Sequence, residues 1–147
     1  MTANIITEDF YEKYNKCFAC GKDNPFGLKL RFHAEGDIAQ AEFTPQELYQ
    51  GWNEFVHGGI LFTMLDEAMS YAIFFNNGIF NHVTAKAEMR FRNPARIGQP
   101  IIITGKVDKH VRNLWWTSGC ISRQDGTIIA ESSGLMYATG DKLQLGI

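Results

Sequence analysis

The stretch FVHGGILFTMLDEAMSYAIFF, residues 55 to 75, decides how the rest of the chain must fold. It predicts one long helix that begins at His57 and ends near Gly78, because Asn and Gly favour a left-handed stop. Nearly all of its side chains are apolar, so the helix must be covered on most of its circumference. The adjacent carboxylates Asp66 and Glu67 interrupt this apolar sequence, and a charge in such dry surroundings is costly.

The segments on both sides of the helix alternate apolar and polar residues, which is the pattern of half-buried strands. Two such segments precede the helix and predict a hairpin: LKLRFHA (28–34) and IAQAEFT (38–44). Four follow it: TAKAEMRFR (84–92), PIIITGKVDK (100–109), LWWTSGCISR (114–123) and TIIAESSGLMYAT (127–139). In the first of these, Thr84 shares the polar face with Lys86 and Glu88, whereas Ala87 and Met89 lie on the apolar face.

This order predicts an α+β fold in which a curved antiparallel β-sheet is wrapped around a long central α-helix. Residues 17–140 form a single domain in this interpretation. Residues 1–16 are an N-terminal extension, partly helical around Asp9 to Tyr14, and residues 141–147 are a C-terminal tail.

Composition excludes several classes of protein. A chain of 147 residues with 45% hydrophobic and 13% aromatic content can bury a core, and its net charge of −2 gives no field that would attract nucleic acid. The N-terminus lacks the basic flank and apolar run of a signal peptide, and polar residues interrupt the long helix, so we expect a cytoplasmic location and no membrane partner.

The cysteines do not predict a disulfide framework or a metal site. They are three in number, Cys17, Cys20 and Cys120, and an odd count argues against structural disulfides. Cys17 and Cys20 have zinc-ligand spacing, but no second pair follows them, so they form half a zinc site at most. We therefore expect a structural turn here and no metal.

Three segments resemble the hotdog-fold acyl-CoA thioesterases, in particular the PaaI-like group of the 4-hydroxybenzoyl-CoA thioesterase superfamily. They are VHGGILFTMLDEA (56–68), MRFRNPARIGQPI (89–101) and CFACGKDNPFGLKLRF (17–32), and the resemblance spans residues 17 to 138. It implies the hotdog fold, a homodimer or dimer of dimers, and hydrolysis of an acyl-CoA thioester without a metal or organic cofactor. Coenzyme A enters only as part of the substrate and product.

The resemblance also implies roles for residues of the helix. The catalytic acid falls nine residues after His57, at Asp66, and the oxyanion donor is the backbone N–H of Gly58. Ser70, four residues after the acid, carries a hydroxyl that is common in relatives.

The residues themselves support this chemistry. Thioester hydrolysis needs a base or a nucleophile and donors for the developing oxyanion, and Asp66 can serve in either of the first two roles. Gly58 and Gly59 place backbone N–H groups at the helix start, where negative charge is favoured. His57 is more typical of a capping residue than of a base. Glu67 is rotated by about 100° from Asp66 and is expected to face solvent or a subunit contact. It stays open as an alternative acid and is a candidate for substrate binding.

Geometry then predicts a dimer. Gly58 and Asp66 are eight residues apart on one helix, hence about 12 Å along its axis, too far for both to reach one carbonyl carbon. If both act on one substrate, they come from two chains related by a two-fold axis.

Candidates for substrate binding lie outside the helix. Gln50 and Asn53 could hold the attacking water, because the position six residues before His57, where some relatives have a polar residue, is Gly51. Arg92, Arg96 and Arg112 are candidates for the phosphates of coenzyme A.

The acyl group stays open between a small aryl-acyl and a medium-chain group. The main alternative function is a non-catalytic acyl-CoA-binding protein, a sensor or interaction module that uses the same pocket. A hotdog dehydratase is disfavoured, because no His-Phe-Pro-type loop precedes the helix acid.

Overall fold

The structure, a computed structural model, describes residues 16–78 and 82–138. The predicted N-terminal helix near Asp9 to Tyr14 and the predicted tail, 141–147, lie outside the described residues. Within the described ranges the elements are β1 (His33–Glu35), β2 (Ile38–Phe43), a 3-10 helix (Glu47–Tyr49), α1 (Gly58–Asn77), β3 (His82–Phe91), β4 (Ile101–Val111), β5 (Leu114–Arg123) and β6 (Ile128–Ala138).

The strands of the described residues form one antiparallel sheet in the order β1-β2-β4-β5-β6-β3, and α1 packs against its central strands. The predicted α+β architecture, a sheet around one long helix, is confirmed. The order places β3 at one edge of the described sheet, next to β6 alone. This edge position matters for the candidate site described below.

The ends of α1 follow from local chemistry. His57 is the N-cap, and its ring nitrogen Nδ1 accepts a hydrogen bond of 2.9 Å from the backbone N–H of Gly59. Gly78 ends the helix with a left-handed φ of 77°, as predicted. By length and hydropathy alone α1 could span a membrane; in this fold one side of it forms the core, with Met64, Leu65 and Ala68 fully buried.

Glycines on the central strands let the helix backbone approach the sheet closely. A Cβ added to Gly105 of β4 would lie 2.2 Å from the carbonyl oxygen of Ala68 in α1. Gly119 of β5 pairs with Gly105, and a Cβ there would lie 3.0 Å from a methyl carbon of Leu65. The sheet therefore has a glycine floor, formed by Gly105 and Gly119, on which α1 rests.

The first predicted strand is shorter than expected. Leu28, Leu30 and Phe32 are buried as their alternation predicts, but the strand ladder includes only His33–Glu35. Lys29 has a left-handed φ of 53°, which a strand residue does not adopt. In addition, the backbone N–H groups of Leu28 and Leu30 donate to the carbonyls of Phe18 and Ala19, so this segment pairs with the preceding turn instead.

A β-bulge in β3 corrects the predicted assignment of faces. The register against β6 shifts between Thr84 and Lys86, which leaves Ala85 as the extra residue. Thr84 consequently pairs with the fully buried Met136 and lies on the helix side of the sheet, together with Ala87. The sequence prediction that Thr84 shares a face with Lys86 is wrong, because strict alternation does not continue through a bulge.

The glycine floor leads to a stability prediction. Gly105→Ala is expected to lower the free energy of unfolding by about 3 kcal/mol, since the obstacle to the new methyl group is main chain and cannot rotate away. Urea denaturation monitored by circular dichroism measures this change.

The matched control is Gly58→Ala, in which the nearest neighbours of the new Cβ lie at 3.4 Å. It should leave stability within about 1 kcal/mol of the wild-type value, because the new methyl group gains helix propensity and makes only an ordinary van der Waals contact with the Phe91 ring. Equal stability of the two variants would contradict the close approach of α1 to β4.

Candidate functional site

Asp66 lies on the less buried side of α1 and is held by the edge strand. The Thr84 hydroxyl donates a hydrogen bond of 2.6 Å to Asp66 Oδ1. Ser70, one turn further along, is only partly buried on the same side of the helix, and the hydroxyl that contacts Asp66 belongs to Thr84 instead. A charge-assisted hydrogen bond of this kind orients the carboxylate.

The N-terminus of α1 offers one free donor. The Gly59 N–H is already used by His57 Nδ1, so of the two predicted donors only Gly58 keeps an N–H without a hydrogen-bond partner among the described residues. His57 itself acts as the helix cap through Nδ1. The Gly58 N–H therefore points out of a helix start, where a developing negative charge is stabilised.

Two grooves meet at Gly58. One, of about 640 Å³, is lined by the loop before α1, including Gln50, Asn53 and His57. The other, of about 520 Å³, is more apolar and runs along the end of β3 and the segment after it, from Phe91 to Ala95. Trp52 lines both and is 87% exposed in the single chain.

The two candidates for holding the attacking water differ in whether the side-chain amide already forms a hydrogen bond within the loop. The Gln50 side-chain oxygen accepts a hydrogen bond of 3.0 Å from the backbone N–H of Glu54, which uses part of its hydrogen-bonding capacity within the loop. Asn53 is exposed on the groove wall. The structure thus brings Gln50, Asn53 and Gly58 together around one groove and leaves Asp66 outside it.

The edge strand β3 connects the acid and the donor without bringing them together. Thr84 near its start contacts Asp66, and Phe91 at its end lies over Gly58, whose added Cβ would be 3.4 Å from the Phe91 ring. Phe91 is 59% exposed, and Phe62 on α1, between the two groups, is 38% exposed.

The three candidate arginines occupy two distant places. Arg92 donates through Nε to Glu131 at 2.9 Å, and Arg96 Nη1 lies 3.7 Å from Glu54 Oε2 and packs over the Phe55 ring. Both therefore lie near the grooves around Gly58. Arg112 lies in the β4–β5 hairpin at the other end of the sheet, roughly 25–30 Å away at the usual strand rise.

Glu67 does not face solvent, and that part of the expectation for it is corrected. The rotation of about 100° from Asp66 turns it towards the turn that contains Cys17 and Cys20. Cys17 Sγ lies 3.9 Å from Glu67 Oε1, and the two sulfurs and a carboxylate oxygen all lie within 4.8 Å of one another.

This cluster shifts the pKa values of its members. The Cys20 thiol hydrogen bond and backbone N–H groups lower the pKa of Cys17 to about 5. The same hydrogen bond, together with burial, raises the pKa of the Cys20 thiol. Burial and the neighbouring Cys17 charge raise the pKa of Glu67 to about 8.

Sequence reasoning missed Thr84 and the Cys17–Cys20–Glu67 cluster. Strict alternation with Lys86 assigned Thr84 to the outer face of the sheet. No feature of the sequence marks the bulge at Ala85 that places it on the inner face instead. The cluster joins residues about fifty positions apart, and only the direction in which Glu67 leaves the helix brings them together.

A family model describing the thioesterase superfamily matches residues 53–130. An uncharacterized protein of Schizosaccharomyces pombe is 32% identical over 123 residues, which covers 81% of this chain and 63% of that protein. The chain therefore spans less than two thirds of the length of this relative.

Solved structures share the fold at lower sequence identity. Zebra fish thioesterase superfamily member 2 has a TM-score of 0.74 at 21% identity and covers 90% of this chain and 99% of its own. The Escherichia coli PaaI protein has a TM-score of 0.70 at 21% identity, covering 77% and 81%. The smu.793 protein of Streptococcus mutans, solved bound to acetyl CoA, has a TM-score of 0.68 at 18% identity, covering 76% and 89%. The chain adopts the hotdog fold and belongs to the thioesterase superfamily.

Proposed function

We propose that the protein is an acyl-CoA thioesterase whose active site forms between two copies of the chain. Asp66 of one chain serves as general base or nucleophile, and the Gly58 N–H of the other chain serves as oxyanion donor. The observation that carries this proposal is the placement of the two groups at opposite ends of the edge strand β3.

A two-fold axis would bring the two ends together. If β3 pairs antiparallel with its own copy, and the axis passes between Ala87 and Glu88, Thr84 lies opposite Phe91 of the partner subunit. Asp66, held by Thr84, then faces Gly58 of the partner subunit, held under Phe91 of the partner subunit. The pairing would also cover the backbone groups at the edge of the sheet and the exposed apolar side chains next to them.

The chemistry needs one proton transfer and one stabilised oxyanion. Acting as a base, Asp66 removes a proton from water as the water oxygen attacks the thioester carbonyl, and collapse of the intermediate breaks the C–S bond and releases the CoA thiolate. Acting as a nucleophile, Asp66 attacks the carbonyl carbon, the C–S bond breaks with release of the CoA thiolate, and water hydrolyses the resulting anhydride to regenerate the carboxylate. In either route the Gly58 N–H and the helix start stabilise the oxyanion.

The same symmetry gives Arg112 a role. In such a dimer, Arg112 of the partner subunit lies at the end of the sheet that carries Arg92 and Arg96. Three cations near the groove mouth suit the phosphates of coenzyme A. The acetyl CoA in the Streptococcus mutans structure supports a coenzyme A thioester as the ligand. The apolar groove beside Phe91 suits a small aryl-acyl or medium-chain acyl group.

Removing the acid tests the proposed base or nucleophile. Asp66→Asn should lower kcat for acyl-CoA hydrolysis by roughly 10²–10⁴-fold, because the amide cannot take up the proton. Thiol release from a panel of acyl-CoAs measures the rate. Asp37→Asn removes an exposed carboxylate elsewhere and should keep wild-type kcat. An Asp66→Asn enzyme with full activity would refute the mechanism, and tight acyl-CoA binding without turnover by the wild type would favour the binding-protein alternative.

The Thr84 hydrogen bond gives a second, smaller effect. Thr84→Val keeps the shape of the side chain but removes the donor, and we expect kcat to fall roughly 10–100-fold, as for the loss of a hydrogen bond to a charged group. Thr84→Ser should retain most of the activity. If the valine and serine variants have the same rate, Thr84 does not position the carboxylate.

Mixed dimers test the shared site directly. Gly58 is the first residue of α1, a position where proline is tolerated, so Gly58→Pro removes the N–H and is expected to keep the helix. Gly58→Pro and Asp66→Asn should each be nearly inactive alone. After the two variants are unfolded and refolded together, about a quarter of wild-type activity should return, since each mixed dimer contains one intact site. If both groups act within one chain, the mixture will show only the average of the two variants.

A further inference from the structure

The turn formed by residues 17–21 brings two thiols against a carboxylate that the proposed hydrolysis does not use. Cys20 is 1% exposed, Cys17 is partly buried, and Glu67 reaches them from α1. We propose that Cys17, Cys20 and Glu67 form a binding site for a divalent, thiophilic metal ion, and that Zn²⁺ is the ion it prefers.

The distances suit such an ion. Tetrahedral Zn²⁺ with sulfur ligands at about 2.3 Å and a carboxylate oxygen at about 2.1 Å needs its ligand atoms about 3.6–3.8 Å apart. Cys17 Sγ and Glu67 Oε1 are already 3.9 Å apart, and all three ligand atoms lie within 4.8 Å of one another. Binding thus requires side-chain adjustments of an ångström or less.

The turn is built in the manner of a metal-binding loop. The Gly21 N–H donates to the Cys17 carbonyl at 2.8 Å, which closes the turn. Arg31 Nη1 fixes the Cys20 carbonyl from the other side at 2.7 Å. Hydrogen bonds to a ligand atom and its backbone orient it for a metal, and the Cys-x-x-Cys spacing is that of zinc sites.

Charge is the second argument for a cation. Coordination would deprotonate Cys20 and Glu67, and the ion would pair the three negative charges that result in this largely buried space. Within the described ranges Glu67 forms no ion pair with Lys, Arg or His. Soft thiolate ligands select Zn²⁺ over Mg²⁺ or Ca²⁺.

The described residues supply three protein ligands. A water molecule completes the tetrahedron. Because Glu67 follows Asp66 directly on α1, the ion would lock the helix beside the proposed catalytic acid, and the Cys17–Cys20 turn would be fastened to the helix.

Co²⁺ and Zn²⁺ test the site independently of hydrolysis. The full chain is reduced, stripped with a chelator and titrated anaerobically with Co²⁺, whose thiolate charge-transfer absorption reports sulfur ligands. We expect saturation at about one equivalent per chain, displacement of Co²⁺ by Zn²⁺, and a higher Tm in the presence of Zn²⁺.

Variants assign the ligands. Cys17→Ser and Cys20→Ser should abolish the absorption, and Glu67→Gln should weaken Zn²⁺ binding roughly 100-fold or more. Cys120→Ser is the matched control and should bind like the wild type. Should a ligand variant fail to fold, protection of Cys17 and Cys20 from alkylation by Zn²⁺ in the wild type, located by mass spectrometry, identifies the same ligands.

Several results would overturn the proposal. They are the absence of a charge-transfer band, Zn²⁺ binding weaker than about 10 µM at neutral pH, and equal binding by Cys20→Ser. The proposal would also be overturned if the reduced protein binds no metal and the oxidised protein contains a Cys17–Cys20 disulfide. That result would identify a redox-active dithiol.

Discussion

The contact between the Ala68 carbonyl of α1 and Gly105 of β4 is the constraint on which the rest of the structure depends. The backbone of α1 contacts the backbone of β4 directly at this point, so the helix lies closer to the sheet than any side chain at Gly105 would permit. Close packing of this kind also fixes the rotation of the helix about its axis. With Leu65 and Ala68 turned towards the sheet, the two acidic residues between them must leave α1 on its flanks.

The surroundings of each of these two carboxylates follow from the rotation of α1 about its axis. Asp66 emerges towards the edge strand, where the β3 bulge presents Thr84. Glu67 emerges towards the Cys17–Cys20 turn. Neighbouring acids in the sequence thus lie in different environments, one beside an open sheet edge and one in a thiol cluster, and their chemistry differs for that reason.

Much of the fold could be predicted from the sequence, because local patterns encode it. The limits of α1, the left-handed Gly78, and the strands β2, β4, β5 and β6 agree with periodicity and turn residues. What escaped prediction depends on irregular backbone or on distant contacts. The positive φ of Lys29 shortened the first strand, and the bulge at Ala85 placed Thr84 on the inner face.

For the candidate site, the sequence marks where a donor and an acid could lie, and their catalytic roles stay a prediction. The helix start and the mid-helix acid could be identified because each lies within one continuous motif. In the proposed site they are combined across a two-fold axis. Their spacing on α1 was enough to predict a second chain, whereas the part that the edge strand β3 plays needed the structure. The edge strand also makes the proposed shared site physically reasonable. β3 lies next to the donor at one end and the acid at the other, so pairing of β3 with its copy would bring the acid of each chain to the donor of the other. The proposed site needs α1 in a fixed position, and α1 packs against the glycine floor on one side and contacts the Cys17–Cys20 turn through Glu67 on another.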